Sequence, residues 1–113
     1  MKLTDLEPKF YRYKTEDGHK YLTPVELSEA QCVIFLCPVC FAKNGGAVGT
    51  HGIEVSFRDR GVQDDEGSHN KEGKPTRWAV SGTSSENLTL DPSILIEDGC
   101  AWHGHVVNGE IVP

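Results

Sequence analysis

The sequence has no long apolar run and no concentrated block of positive charge. None of its apolar stretches approaches the roughly 18 residues that a helix needs to cross a bilayer. Met1 is followed by charged and polar residues, without the apolar core of a secretory signal. The eleven Lys and Arg residues are scattered and the net charge is −6, whereas nucleic-acid binders concentrate basic side chains. We therefore expect a cytoplasmic protein that binds neither membranes nor nucleic acids.

Apolar residues are also scarce, at 37% of the 113 residues. A chain of this length is most simply one domain, here residues 1–113, with a modest hydrophobic core. Because little apolar area is available to offset chain entropy, a metal cross-link would help to stabilise the fold. The chain has four cysteines, and in a reducing compartment cysteines favour metal ligation over disulfides.

Two short motifs supply a candidate metal site. Cys37 and Cys40 are separated by two residues, and so are Cys100 and His103. Three thiolates and one imidazole form a common tetrahedral ligand set for structural zinc. A single CxxC motif can equally be a redox dithiol, but two half-sites in one small chain favour a single zinc ion. Since residues 41–99 separate the halves, the predicted site joins the middle of the chain to its end.

The predicted zinc is structural. Four protein ligands close the tetrahedron, and three thiolates weaken the ion as a Lewis acid, whereas a catalytic zinc keeps a position open for water. The fourth cysteine, Cys32, begins an apolar segment and is predicted to pack in the core as a small apolar residue. His51 lies in a polar context and is predicted to be a surface residue.

The hydrophobic pattern predicts a mainly β, small α+β fold: a compact antiparallel sheet domain with one short helix. Asp17-Gly18 and Asn108-Gly109 each predict a hairpin turn. Thr23, Pro24 and Glu26 have the pattern of a helix start, so we expect about two helical turns after Thr23.

The other segments are predicted from their apolar content. Cys32–Leu36 has the composition of a buried strand, and the alternation from His51 to Phe57 predicts a half-buried one. Residues 59–75 are polar and are predicted to form a long mobile loop. A further strand is expected to begin at Arg77 and to end at Gly82. Residues 88–90 and 94–96 are expected to flank a turn formed by Asp91, Pro92 and Ser93.

Several pieces of the chain follow one another in an order that resembles a known family. The pieces are the CPxC motif, Trp78 in a strand, Leu90-Asp91-Pro92-Ser93-Ile94, Cys100 with His103, and the closing Asn108-Gly109 hairpin. This order resembles that of small phage and bacterial proteins known only as a domain of unknown function, and the resemblance covers roughly residues 32–112. It implies zinc binding and a phage or prophage context. Some bacterial relatives lie in operons for ubiquitin-like conjugation, where they are suspected peptidases. This chain departs from the pattern at His105, where relatives usually carry an aromatic residue.

Ser93 is the best candidate for a nucleophile, because it lies in the family-like turn and close in sequence to the metal ligands. A serine needs an adjacent base and an oxyanion site. His105 is the candidate base, and Asp91 or Glu97 the candidate acid that orients it. In the alternative interpretation, Ser93 bonds a backbone amide within a turn and His105 is a half-exposed strand residue.

The sequence therefore predicts a small phage-type accessory protein that contains one structural zinc ion. Its predicted activity is that of a peptidase acting on a protein or ubiquitin-like tail. The alternative is a non-catalytic adaptor that binds a host or virion protein through an acidic face. A hydrolase requires a cleft that joins Ser93 to a base, whereas an adaptor requires an exposed apolar patch.

Overall fold

The computed structural model describes residues 1–97 and 100–113, and it confirms a mainly β fold with a short α-helix. The strands are β1 (Lys9–Glu16), β2 (His19–Pro24), β3 (Cys32–Leu36), β4 (Gly52–Ser56), β5 (Ala79–Ser81), β6 (Thr89–Leu95), β7 (His103–Val107) and β8 (Glu110–Val112). They form two antiparallel four-stranded sheets, in the orders β2-β1-β3-β4 and β5-β6-β7-β8. The helix α1 spans Pro38–Asn44, and two short 3-10 helices span Leu3–Leu6 and Leu27–Glu29. Within the described residues, no helix is long and apolar enough to span a bilayer.

Both predicted hairpins are present. Asp17 and Gly18 connect β1 to β2 with positive φ angles of 52° and 77°, and Asn108 and Gly109 connect β7 to β8 with φ angles of 48° and 76°. Asn, Asp and Gly tolerate this left-handed region better than other residues, which explains why these dipeptides specify the turns.

The predicted two-turn helix after Thr23 is wrong. Strand β2 continues to Pro24, and only a three-residue 3-10 helix follows. The segment is held along β1 because the Val25 N–H donates to the Phe10 carbonyl and the Gln31 N–H donates to the Tyr11 carbonyl. These two bonds fix both ends of residues 25–31 to β1, and the segment between them forms only one short 3-10 turn.

The α-helix instead begins directly after Cys37. Pro38 occupies the first helical position, where its fixed φ is favourable and its missing N–H costs nothing. The helix ends at Gly45, which has a φ of 69° and donates its N–H to the Phe41 carbonyl. The sequence therefore carries a start signal for this helix at Pro38 and a stop signal at Gly45.

The predicted turn at Asp91, Pro92 and Ser93 is also wrong, because β6 runs through all three residues. The pairing of β6 with β7 shifts register between Leu90 and Ile94. Proline cannot donate a ladder hydrogen bond and is tolerated at such irregularities. The turn-forming residues therefore produce an irregularity within one strand instead of a reversal between two.

Between Phe57 and Trp78 the polar loop contains no named strand or helix, as predicted, and several hydrogen bonds hold its backbone. The Arg77 guanidinium donates hydrogen bonds to four loop carbonyls, those of Gln63, Glu66, Ser68 and Thr76. Gly67 packs so closely on Ser56 that a Cβ atom at this position would overlap the serine hydroxyl. These contacts hold the loop against the outer face of the first sheet.

Residues from both sheets share one hydrophobic core, into which the N-terminal Leu3 and Leu6 also pack. The Phe35 ring of β3 meets the Trp102 ring edge-to-face, with ring centroids 6.2 Å apart. Cys32 is fully buried, as predicted, and its thiol lies 3.8 Å from the Tyr11 carbonyl oxygen. The Phe35–Trp102 contact lies beside the ends of β3 and β7, where the ligand-type residues also lie.

Candidate functional site

Four ligand-type side chains converge in the described residues: Cys37, Cys40, His51 and Cys100. Their ligand atoms all lie within 4.8 Å of one another. Cys37 Sγ lies 3.1 Å from Cys100 Sγ, and His51 Nε2 lies 3.4 Å from Cys100 Sγ. This group can hold a metal ion, and it contains the three cysteines that the sequence analysis selected.

The histidine of the group is His51, whereas the sequence analysis named His103. The β3–β4 register explains this difference. Leu36 pairs with Gly52 across the two antiparallel strands, and one residue further along the Cys37 N–H donates to the His51 carbonyl at 3.0 Å. The ends of two paired strands therefore place Cys37 beside His51. The sequence contains a signal for the role of His51, because this residue immediately precedes a predicted strand that can pair with the strand before Cys37.

Helix α1 positions the second cysteine. Cys37 is the residue before the helix and Cys40 lies in its first turn, so the backbone reversal at Pro38 brings both thiols to the same side. The Phe41 N–H donates to the Cys37 carbonyl at 2.8 Å and fixes the start of the turn. The first turn of the helix therefore brings together the two cysteines, which are separated by two residues.

Cys100 approaches from the second sheet. The Ile96 N–H donates to the Trp102 carbonyl at 2.7 Å, which closes the connection between β6 and β7 around Cys100. Ala101 has a positive φ of 51°, and Trp102 is buried against Phe35. An ion bound by Cys100 and by the three residues from the first sheet and its helix would link the two sheets.

The separations suit a four-coordinate ion. Two thiolates bound to one zinc ion at about 2.3 Å in tetrahedral geometry lie about 3.8 Å apart. The observed separations, from 3.1 Å up to less than 4.8 Å, bracket that value. These separations are therefore compatible with four-coordinate binding of one ion.

Burial and hydrogen bonding give two of the thiols different acidities. Burial raises the pKa of the Cys37 thiol to about 11. Burial opposes ionisation of Cys100 as well, but hydrogen bonds from Cys37 and His51 stabilise its thiolate and bring its pKa down to about 7. A bound cation would favour the thiolate at both positions, because metal ligation displaces the thiol proton.

His103 points to a different part of the molecule. Its Nε2 atom lies 3.1 Å from the Ser93 hydroxyl oxygen, within hydrogen-bonding distance. The predicted nucleophile therefore meets His103 and not the predicted base, His105, whose ring centroid lies 6.5 Å from that of His103. Asp91 is exposed at the β5–β6 pairing. Within the described residues, no hydrogen bond joins a carboxylate of Asp91 or Glu97 to either histidine.

Ser93 lines a cleft of about 760 Å³ between β6 and the polar loop. Trp78 forms part of this cleft, and its indole N–H donates to the Ser93 carbonyl at 3.1 Å. Glu54 of β4 and the loop residues Gly67 to Lys71 line the cleft as well. Ser93 thus lines a cleft large enough for a small ligand or a peptide segment, and its hydroxyl contacts His103, which is not among the residues that line the cleft.

Comparisons with protein-family models, with curated proteins and with solved structures give no match to this chain. The resemblance to the phage and bacterial family stays a prediction from the sequence.

Proposed function

We propose that Cys37, Cys40, His51 and Cys100 bind one structural zinc ion that fastens the second sheet to the first. The convergence of four ligand atoms within 4.8 Å carries this proposal. Three soft thiolates and an imidazole favour zinc over hard cations such as Mg²⁺ or Ca²⁺, which prefer oxygen ligands. Four protein ligands leave no position for water, so the role is structural.

Elemental analysis of the purified protein tests this proposal. We expect one zinc ion per chain and, by X-ray absorption, three sulfur ligands at about 2.3 Å. Cys32→Ser serves as the matched control, because Cys32 is buried away from the cluster. A protein without metal, or one with a native Cys37–Cys40 disulfide, would contradict the assignment.

We further propose that the protein is a cytoplasmic, phage-type accessory hydrolase that cleaves a protein or ubiquitin-like tail. The hydrogen-bonding distance of 3.1 Å between Ser93 and His103 at the cleft supports this second role. In the proposed step, Ser93 Oγ attacks the scissile carbonyl carbon while His103 Nε2 takes the hydroxyl proton. The histidine then donates that proton to the leaving amine as the C–N bond breaks, and water hydrolyses the resulting acyl ester.

Matched variants separate this proposal from the adaptor alternative. The zinc-loaded protein would be assayed with an activated ester and with a ubiquitin-like protein that carries a C-terminal extension. Ser93→Ala and His103→Gln should abolish cleavage with zinc content unchanged, whereas His105→Gln should retain it. Wild-type protein that binds the extended protein without cleaving either substrate would favour the adaptor. Full cleavage by Ser93→Ala would exclude the serine mechanism.

A further inference from the structure

We propose that the cleft beside Ser93 binds an extended, cationic peptide segment, which adds as a strand to the free edge of β6. The biological role of this binding rests on the hydrolytic function proposed above, because the bound segment would be the substrate tail. The binding itself is independent of cleavage and can be measured separately. Three features of the cleft support it: an open strand edge, suitable dimensions and an unbalanced carboxylate.

The open edge follows from the hydrogen-bond pattern of β6. The Ile96 N–H donates to the Trp102 carbonyl, and Ile94 pairs with Gly104, so these two residues direct their backbone groups toward β7. Successive residues of a strand direct their backbone groups to opposite sides. Ser93 and Leu95 therefore direct theirs away from β7, and the Ser93 carbonyl indeed accepts the Trp78 indole N–H on that side.

No strand covers this edge within the described part of the chain. Strand β5 pairs with β6 only from Thr89 to Asp91. No hydrogen bond from the described residues reaches the Leu95 N–H or carbonyl on the cleft side. The Leu95 side chain is 52% exposed beside the edge. An incoming extended chain would meet a free donor, a free acceptor and an apolar surface, which are the elements of β-strand addition.

The cleft has dimensions that suit one added strand. The cleft-lining segment from Ser93 to Glu97, of which the last two residues follow β6, spans about 13 Å if it is extended at about 3.3 Å per residue. Gly67 to Lys71 and Glu54 form the opposite wall, and the enclosed volume is about 760 Å³. Ser93 lies at one end of this edge, so a bound segment would pass its hydroxyl.

The charged side chains of the cleft indicate which kind of peptide segment would bind there. Arg77 keeps its positive charge but directs its N–H groups to four loop carbonyls and forms no ion pair with Glu54, and Lys71 pairs with Glu97 at 3.8 Å. Glu54 accepts the Tyr13 hydroxyl at 2.7 Å through one carboxylate oxygen, and its other oxygen has no hydrogen-bond partner among the described residues. This carboxylate has no cationic partner there, so a lysine or arginine side chain of the bound segment would complement it.

Peptide probes test the proposal on the zinc-loaded Ser93→Ala protein, which cannot cleave them by the serine route. The probe is a pool of acetylated and amidated hexapeptides of Ala, Val and Thr with lysine at the third position. One matched pool carries norleucine in place of lysine, and another carries N-methylated backbone amides. We expect the lysine pool to slow hydrogen exchange of the Leu95 amide, the norleucine pool to bind about fivefold more weakly, and the N-methylated pool not to bind.

Protein variants locate the contacts. Glu54→Gln keeps an acceptor for Tyr13 and should remove the preference for lysine, whereas the exposed Glu110→Gln on β8 should leave it intact. Leu95→Pro removes the edge N–H and should abolish binding, with zinc content as the measure of folding. Equal binding of the N-methylated pool, or no protection of Leu95 by any pool, would overturn the proposal. Binding by Ser93→Ala without cleavage by the wild type would leave it standing and refute only the hydrolase.

Discussion

Replacing His51 and His103 separately by alanine tests which histidine belongs to the metal site. His51 lies with the three thiols, whereas His103 lies within hydrogen-bonding distance of Ser93. Both histidines are exposed, so neither replacement leaves a buried cavity. Any large difference between the variants must therefore come from the metal.

The expected loss of zinc affinity and of stability follows from the number of metal ligands. Binding of structural zinc contributes on the order of 10–16 kcal/mol in small zinc-binding peptides. If the four ligands contribute equally to this binding free energy, the removal of one ligand costs about 3 kcal/mol. This loss corresponds to about a hundredfold weaker zinc affinity. At a fixed free zinc concentration, the free energy of unfolding falls by about the same amount. His103→Ala loses only one exposed hydrogen bond, worth about 1 kcal/mol.

The assay combines chelator competition for zinc with urea unfolding in the presence and absence of metal. We expect His51→Ala to show weakened zinc affinity and lowered stability in the zinc-loaded form only. In metal-free protein, the variant should unfold at nearly the same urea concentration as the wild type. If His103→Ala loses zinc while His51→Ala keeps it, the assignment of the ligands is wrong.

Three further replacements probe the surroundings of the sites. Gly67→Ala places a Cβ atom against the Ser56 hydroxyl at a φ of 74°, and we expect urea unfolding to show a loss of about 2 kcal/mol or more. Arg77→Lys cannot reach all four carbonyls with one ammonium group, so about 3 kcal/mol should be lost and proteolysis of the loop should accelerate. Cys32→Ser should cost about 1–2 kcal/mol through burial of a hydroxyl, with zinc content unchanged; loss of zinc would place Cys32 at the metal.

The two hairpin turns could be predicted from the sequence. Asp17-Gly18 and Asn108-Gly109 specify their hairpins because the required positive φ angles are favourable for these residue types. The alternation from Ile53 to Phe57 places every second side chain in the core, and that strand is present. The Cys37–Cys40 spacing and Cys100 were also sufficient to select the three thiols. The turns and the strand depend on interactions within a few residues, whereas the meeting of Cys100 with Cys37 joins residues 63 positions apart.

The partners of the histidines were decided only by the tertiary structure. His51 enters the metal site because the register of β3 against β4 places it beside Cys37. His103 meets Ser93 because β6 pairs with β7, and the contact lies next to the register shift between Leu90 and Ile94. A one-residue change in pairing would alter both contacts without altering any local pattern. Strand register is set by packing between segments distant in sequence, so the sequence supplied the chemical groups and the pairing of the strands determined which of them meet.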